Sequence, residues 1–384
     1  MTAPRFFLIA GEPSGDRLGA ALMAGLKALA PGVAFSGIGG PAMQAEGMAS
    51  LFPMEELSVM GLVEVLPKYF HLKRRIRQAA GAALAARPAA LITIDSPDFC
   101  LRVAALAKAA DPGLKTIHYV APSVWAWRPG RAAKMARHID HVLALLPFEP
   151  PYMTAAGMSC DFTGHPVVSE PVATPEQARA FREAHGIALD APLVVALPGS
   201  RSGEVSRLIP PFGATLRQVA ERLPALRVVL PTPRHLADTV AEGTRDWPGA
   251  PVILPAPDLA LRTAAFAAAD AALAASGTVS LELAAQSCPM AVAYDMAAPT
   301  LWLMRRMAWI DTVTLVNLVS ETRSVPEFIG PDCRADRIAP ALVSLLENGP
   351  GAQAEAMDLT MQRLGRGEEP PGLRAARSVF SHLG

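Results

Sequence analysis

Four cysteines in 384 residues, Cys100, Cys160, Cys288 and Cys333, are too few and too scattered to frame a disulfide-held scaffold. They form no C-x-x-C pair, so a cysteine zinc site is not expected, and the thiols suit a reducing compartment. Net charge is absent as well, with 35 Lys and Arg against 35 Asp and Glu. Without a global basic field the chain has little to recruit nucleic acid. No run of about 18 apolar residues occurs, so no membrane-spanning helix is expected. Residues 1–10 lack a charged leader, a longer apolar stretch and a cleavage site, so no export signal is expected and the topology reads as cytosolic. The first apolar run is not followed by G-x-G-x-x-G, which weighs against a dinucleotide-dependent oxidoreductase.

Apolar residues, by contrast, make up 51% of the chain, enough for sizeable cores, and the length fits two domains rather than one. A unit repeats along it: a short apolar run, a turn rich in Gly, Pro, Ser or Asp, then an Ala/Leu-rich helical stretch. The runs of the first half are 5–10, 33–37, 90–94, 115–120 and 141–146. Those of the second half are 192–197, 226–230, 251–254, 270–274 and 289–294. Continuous short apolar runs alternating with helices predict βαβ units and buried parallel strands. The pattern breaks over 163–174, which reads as a linker between two doubly wound α/β domains. The first is expected over 1–168, completed by helices in 350–384, and the second over 169–349. In open α/β sheets ligands bind beyond the carboxyl ends of strands, so the turns are where chemistry is expected.

Two turns of the second half look built for phosphate. Leu197-Pro198-Gly199-Ser200-Arg201-Ser202-Gly203-Glu204 joins an apolar run to a helix. Its small residues let backbone N–H groups approach an anion, and Arg201 adds a permanently charged fork. Ser276-Gly277-Thr278 repeats the arrangement, and Glu282, one turn into the next helix, is placed to accept both hydroxyls of a ribose. A helix cap explains either turn alone; it does not explain why two turns of one domain share the design. In the first half, Gly11-Glu12-Pro13-Ser14-Gly15-Asp16 follows the first run, and Asp95-Ser96-Pro97-Asp98-Phe99 follows the third. An aspartate held by Pro97 at a domain edge suits a general base, whereas the plainer reading is an N-cap.

Residues 118–128 set Trp125 and Trp127, two of five tryptophans, beside Pro122 and Arg128. They suit either sugar or acyl-chain packing or contact between domains. His165, in Gly164-His165-Pro166, reads as a hinge histidine and not as a base. Residues 59–67 are apolar, and a basic amphipathic stretch follows. Tyr69, Leu72, Ile76 and Ala79 recur at helical spacing, with Lys73, Arg74, Arg75 and Arg77 between them. Such a segment suits an anionic membrane surface; a core-packed helix with a solvated basic face is the plainer reading.

Taken in order, these motifs resemble the lipid-A-disaccharide synthase family of inverting glycosyltransferases. The likeness rests on 11–16, 37–41, 60–66, 95–99, 119–128, 163–166, 198–204, 276–282 and 315–319, the last containing Asn317. One departure is Gly330, where the family usually has Gln. The resemblance implies two Rossmann-like domains facing a cleft, the GT-B type. It implies transfer from UDP-2,3-diacylglucosamine to 2,3-diacylglucosamine 1-phosphate (lipid X), giving the β-1,6 disaccharide 1-phosphate and UDP. No cofactor or metal is expected, and no Asp-x-Asp lies near the phosphate turns. By the same resemblance Asp98 is the catalytic base, and Gly199, Ser200, Arg201, Glu204, Ser276, Gly277, Thr278, Glu282 and Asn317 hold the UDP-sugar. Glu12, Ser14 and Asp16 position the acceptor. Met60, Leu62, Val63, Leu66, Tyr69, Phe70, Lys73, Arg74 and Arg77 touch the membrane. The expected setting is the cytoplasmic face of the inner membrane, as a peripheral protein and a possible homodimer exchanging C-terminal elements. A UDP-sugar 2-epimerase of the same fold is the rival enzyme. A non-catalytic two-lobed binding protein is the rival outside enzymes; such proteins are usually exported.

Overall fold

The short apolar runs become strands of two parallel sheets in a computed structural model that describes residues 4–57, 62–128, 130–296, 302, 306 and 310–383, with the backbone alone for 62–69. The first sheet holds β1 (Arg5–Ala10), β2 (Ala34–Ile38), β3 (Ala90–Ile94), β4 (Thr116–Tyr119), β5 (His141–Ala144) and β6 (Ser159–Phe162), in the order β2-β1-β3-β4-β5-β6. The second holds β7 (Leu193–Leu197), β8 (Arg227–Thr232), β9 (Val252–Pro255), β10 (Ala271–Ala274), β11 (Met290–Tyr294) and β12 (Glu327–Ile329), in the order β12-β11-β10-β7-β8-β9. Every residue of β3, β4, β5, β7 and β10 is buried, as helices on both faces of a parallel sheet require.

The period of two in β1 divides its side chains between two cores. Phe6 and Leu8 pack with Leu22, Leu26 and Val379, while Phe7 and Ile9 pack with Ala79, Val103 and Ala104. Two strands were not legible as apolar runs. β6 alternates exposed and half-buried residues, and β12 spans three half-buried ones. Both are edge strands, where one side lacks a neighbour and continuous hydrophobicity is not required.

The chain divides into two compact units, residues 1–166 with 367–384, and residues 167–366. The last helix, Pro371–Leu383, belongs to the first unit. His141 Nε2 lies 2.7 Å from Ser378 Oγ, Ser378 donates to Asp161 at 2.6 Å, and the His141 and His382 rings stack at 4.7 Å. The helix Ala352–Arg363, which the sequence reading grouped with it, stays in the second unit. There the Gln353 amide bonds both N–H and carbonyl of Met290, and Arg363 donates to the Val319 carbonyl at 2.7 Å. The return to the first unit therefore falls after Arg366 and not near residue 350.

Burial sets a pH response in the first unit. His118 and His141 are 1% and 2% exposed, and desolvation pushes each down to about 4 from 6.5; His382 lowers His141 further. The unfolded chain binds those protons first, so this stabilisation is complete above pH 6.5 and is lost as pH falls to 4, about 3 kcal/mol per histidine. Glu149 works the other way. Burial raises it to about 7 from 4.5 against the opposing hydrogen bonds from Leu146, Trp125 and Leu145. Its protonation recovers about 3 kcal/mol as pH falls through the same window. Urea titrations followed by Trp emission should show the first unit less stable at pH 4 than at pH 7, with Glu149→Gln losing about 3 kcal/mol more than wild type over that range. Equal slopes in the two proteins would contradict these ionisation states.

Candidate functional site

Strand order reverses between β7 and β10 in the second sheet and between β1 and β3 in the first. At such a switch point the flanking connections diverge to opposite faces and leave a crevice. The turns singled out in the sequence sit at these two places. Gly199–Glu204 follows β7 and Ser276–Glu282 follows β10; Gly11–Asp16 follows β1 and Asp95–Asp98 follows β3.

In the second unit both turns line one pocket of about 540 Å³. Gly199, Ser200, Arg201, Glu204, Ser276, Gly277, Thr278 and Glu282 all reach it. Its other wall is Pro231, Thr232 and Pro233 at the carboxyl end of β8, with Ala256, Pro257, Arg262 and Phe266. The N–H groups of Ser276, Gly277 and Thr278 meet no acceptor among the described residues, and Ser276 Oγ reaches only the Val313 carbonyl at 3.5 Å. Glu204 braces its own turn. Its Oε2 accepts from Ser200 N–H at 3.3 Å, and Oε1 accepts from Arg201 at 3.3 Å and Tyr294 Oη at 3.2 Å. Gly199 is required there, because its φ is +118° and a Cβ would stand 2.8 Å from the Glu204 side chain. The Arg201 side chain is 64% exposed, so its fork is held by one exposed contact and is free to turn to an anion.

Glu282 pairs with Arg262, Nη2 to Oε2 at 3.3 Å. Sequence reading missed Arg262, which stands alone in the Ala-rich helix Leu259–Ala268 with no turn motif to mark it. Asn317, expected to line this pocket, does not. It is 1% exposed; its Nδ2 donates to Thr312, the Val325 carbonyl and Glu327, and its Oδ1 accepts from Val325 N–H. An amide with donors and acceptor all engaged is a staple of the 312–327 segment. Gly330 begins a short turn after β12 with φ +63°, a conformation that a glutamine side chain would strain.

In the first unit, Asp98 stands exposed on the first turn of the helix Pro97–Ala110, at the rim of a pocket of about 320 Å³. Asp95 and Ser96 before it have φ of +52° and +42°, and Val120, at the end of the neighbouring β4, has +83°. Non-glycine residues in this region store strain, and three of them gather where the two strands end. Gly11 meets this turn. A Cβ there would lie 2.6 Å from Ser96 Oγ, so the β1 and β3 turns are in contact. Burial raises Asp95 above the usual carboxylate range. Glu12 occupies the N-cap position of the helix Pro13–Leu29 without a side-chain capping bond, and Ser14 is exposed at its start; neither lines the Asp98 pocket.

Asp16, expected at the acceptor, is instead buried. Its Oδ1 accepts from Gly40 and Met43 N–H at 2.8 and 3.0 Å, and Oδ2 from Ala42 N–H at 2.9 Å, capping the helix Pro41–Ala45. Asp16→Ala would orphan three N–H groups and should cost about 2–4 kcal/mol of stability. UDP affinity of the folded variant should be unchanged by calorimetry, and a loss of it would return Asp16 to the site.

The aromatic loop is tied down by a residue the sequence reading did not name. Trp125 Nε1 donates to the buried Glu149 at 3.3 Å, and its ring meets Phe148 edge-on at 5.1 Å. Trp127 carries the Arg128 guanidinium over its face at 4.1 Å. Of the basic segment, Met60 lies outside the described residues, as do the side chains of Leu62, Val63, Leu66 and Tyr69. Phe70 is 81% exposed, and Lys73, Arg74 and Arg77 face out along the helix Leu62–Ala86. Ile76, Ala79 and Ala80 face the core, and Arg75 is held by Glu56 at 2.7 Å over the Phe52 ring. Among the described residues no helix is long and apolar enough to cross a membrane.

Comparisons with known proteins agree on this architecture. Epimerases share the fold at sequence identities that carry nothing further. The UDP-GlcNAc 2-epimerase from Neisseria meningitidis, solved with UDP-GlcNAc, superposes with a TM-score of 0.64 at 11% identity, covering 100% of this chain and 99% of that one. The Methanocaldococcus jannaschii UDP-GlcNAc 2-epimerase, solved with UDP-GlcNAc and UDP, gives 0.63 at 10% identity, covering 99% and 100%. The two-sheet α/β architecture is thus of the GT-B type. Sequence likeness points to one family. A lipid-A-disaccharide synthase from Ruegeria pomeroyi is 62% identical over 385 residues, covering 99% of this chain and 95% of that protein. One from Rhodospirillum centenum is 49% identical over 379 residues, covering 98% and 94%. The family model described as lipid-A-disaccharide synthetase matches residues 6–371. The chain belongs to the lipid-A-disaccharide synthase family of glycosyltransferases.

Proposed function

We propose that the chain transfers 2,3-diacylglucosamine from its UDP conjugate to the 6-hydroxyl of 2,3-diacylglucosamine 1-phosphate, with inversion, releasing UDP. The observation that carries the reading is the pocket at the β7/β10 switch point, where free amides and the exposed Arg201 guanidinium converge. In this reading the diphosphate lies against the Ser276–Thr278 turn and Arg201, with Gly199 and Ser200 alongside. Glu282, oriented by Arg262, takes the ribose hydroxyls. Negative charge grows on the leaving diphosphate through an oxocarbenium-like state, and prearranged N–H groups and a guanidinium stabilise it there. Asp98 removes the proton of the acceptor 6-hydroxyl, with Glu12 and Ser14 close to the same turn. The exposure of Phe70, Lys73, Arg74 and Arg77 along one helix favours contact with an anionic bilayer, which supports a peripheral site on the inner face of the inner membrane.

The test is incubation with diacylated donor and acceptor, with and without chelator. The expected products are UDP and a β-1,6-linked disaccharide 1-phosphate, unaffected by chelation. UDP-N-acetylglucosamine alone should come back unchanged; an isomerised sugar would replace this reading with epimerisation.

A further inference from the structure

The pocket beside Asp98 carries more charge than a general base uses. The helix Pro97–Ala110 presents Asp98 and, one turn on, Arg102; the helix Gly130–Met135 adds Arg131 and Lys134. The space between is floored by Leu101 and Met135. Several cations of this unit pair with carboxylates, among them Arg75 with Glu56, Lys108 with Asp140 and Arg374 with Glu368, and others face solvent alone. Among the described residues Arg102, Arg131 and Lys134 have none, although the whole chain is neutral. The lining therefore sets the three cations Arg102, Arg131 and Lys134 against the single carboxylate of Asp98. A phosphomonoester at neutral pH carries about −1.5 to −2 and three strong acceptor oxygens. Arginine forks match those oxygens in pairs.

We infer that Arg102, Arg131 and Lys134 form the phosphomonoester anchor of the acceptor sugar. The anomeric phosphate sits on the cations, the sugar lies over Leu101 and Met135, and the 6-hydroxyl meets Asp98. Asp98 and Arg102 stand four residues apart on one helix, about 6 Å of rise, which is the scale of one pyranose ring. The inference rests on the transfer reading above and adds the group that selects a phosphorylated acceptor.

The experiment measures transfer at saturating donor to two acceptors, diacylglucosamine 1-phosphate and the same sugar without phosphate, for the wild type, Arg102→Ala, Arg131→Ala and Arg131→Lys. Wild type should prefer the phosphorylated acceptor by about 100-fold in kcat/KM, the size of a lost charge-assisted pair. Each alanine variant should bring that ratio down by about tenfold or more through acceptor KM, with donor KM unmoved, and lysine at 131 should restore part of it. Alanine variants that keep the wild-type ratio, or that slow both acceptors equally, overturn the anchor. Cosedimentation with phosphatidylglycerol vesicles separates the other phosphate source; loss of vesicle binding with an unchanged acceptor ratio overturns it as well. Calorimetry with glucosamine 1-phosphate needs no turnover. Binding by wild type but not by the alanine variants supports the anchor even if no disaccharide forms, in which case the transfer reading alone fails.

Discussion

Asp98→Asn should lose transfer by about 10³-fold or more while binding UDP as the wild type does, because the amide keeps shape and hydrogen bonding but cannot take a proton. The side chain is exposed and caps no helix, so the substitution leaves the fold intact. The loss should therefore fall on kcat, with melting temperature and donor KM unchanged. Single-turnover assays with saturating donor and acceptor isolate that step. Turnover near the wild-type level would remove Asp98 from proton transfer. The strained residues before it make a companion statement. Asp95 and Ser96 hold left-handed dihedrals that aim Pro97 and Asp98, and Gly11 leaves Ser96 room. Strain is tolerated where surrounding contacts over-determine it, and here it sits at the carboxyl ends of β3 and β4, beside the proposed base.

Arg201→Ala should weaken UDP binding by about 10–100-fold, the 1.5–3 kcal/mol of a charge-assisted hydrogen bond, and lower kcat by about 10²-fold as well. Both effects follow because the diphosphate is negative when bound and more so when leaving. Nothing in the fold depends on this side chain. Among the described residues it meets only Glu204, at 3.3 Å, and it is mostly exposed. Arg201→Lys should recover part of the affinity and little of the rate, since a point charge replaces a fork. Unchanged calorimetric affinity for UDP in the alanine variant would exclude Arg201 from the phosphate site.

Much of this was legible in the amino-acid order because parallel strands buried on both faces must be apolar throughout. Runs such as 90–94 and 193–197 announce themselves, and their turns follow by Gly, Pro and Ser chemistry. The edge strands β6 and β12 escaped because half-exposed backbone imposes no such run. Side-chain roles were less legible. Asp16 and Asn317 are polar residues near promising turns, and only folding shows that backbone groups 24–27 residues and 8 residues away converge on them. Arg262 and Glu149 show the opposite case. Neither belongs to a motif, yet sheet order carries one to the phosphate pocket and the other beneath Trp125. Local sequence fixes turn chemistry; which carboxylate is spent on the fold is decided by contacts distant in the chain.

The most direct measurement is a crystal structure of the protein soaked with UDP. The β-phosphate should lie within hydrogen-bonding distance of the Ser276–Thr278 amides and the Arg201 guanidinium, with both ribose hydroxyls on Glu282. Nucleotide bound away from the β7 and β10 turns, or diphosphate reaching neither those amides nor Arg201, would contradict the account.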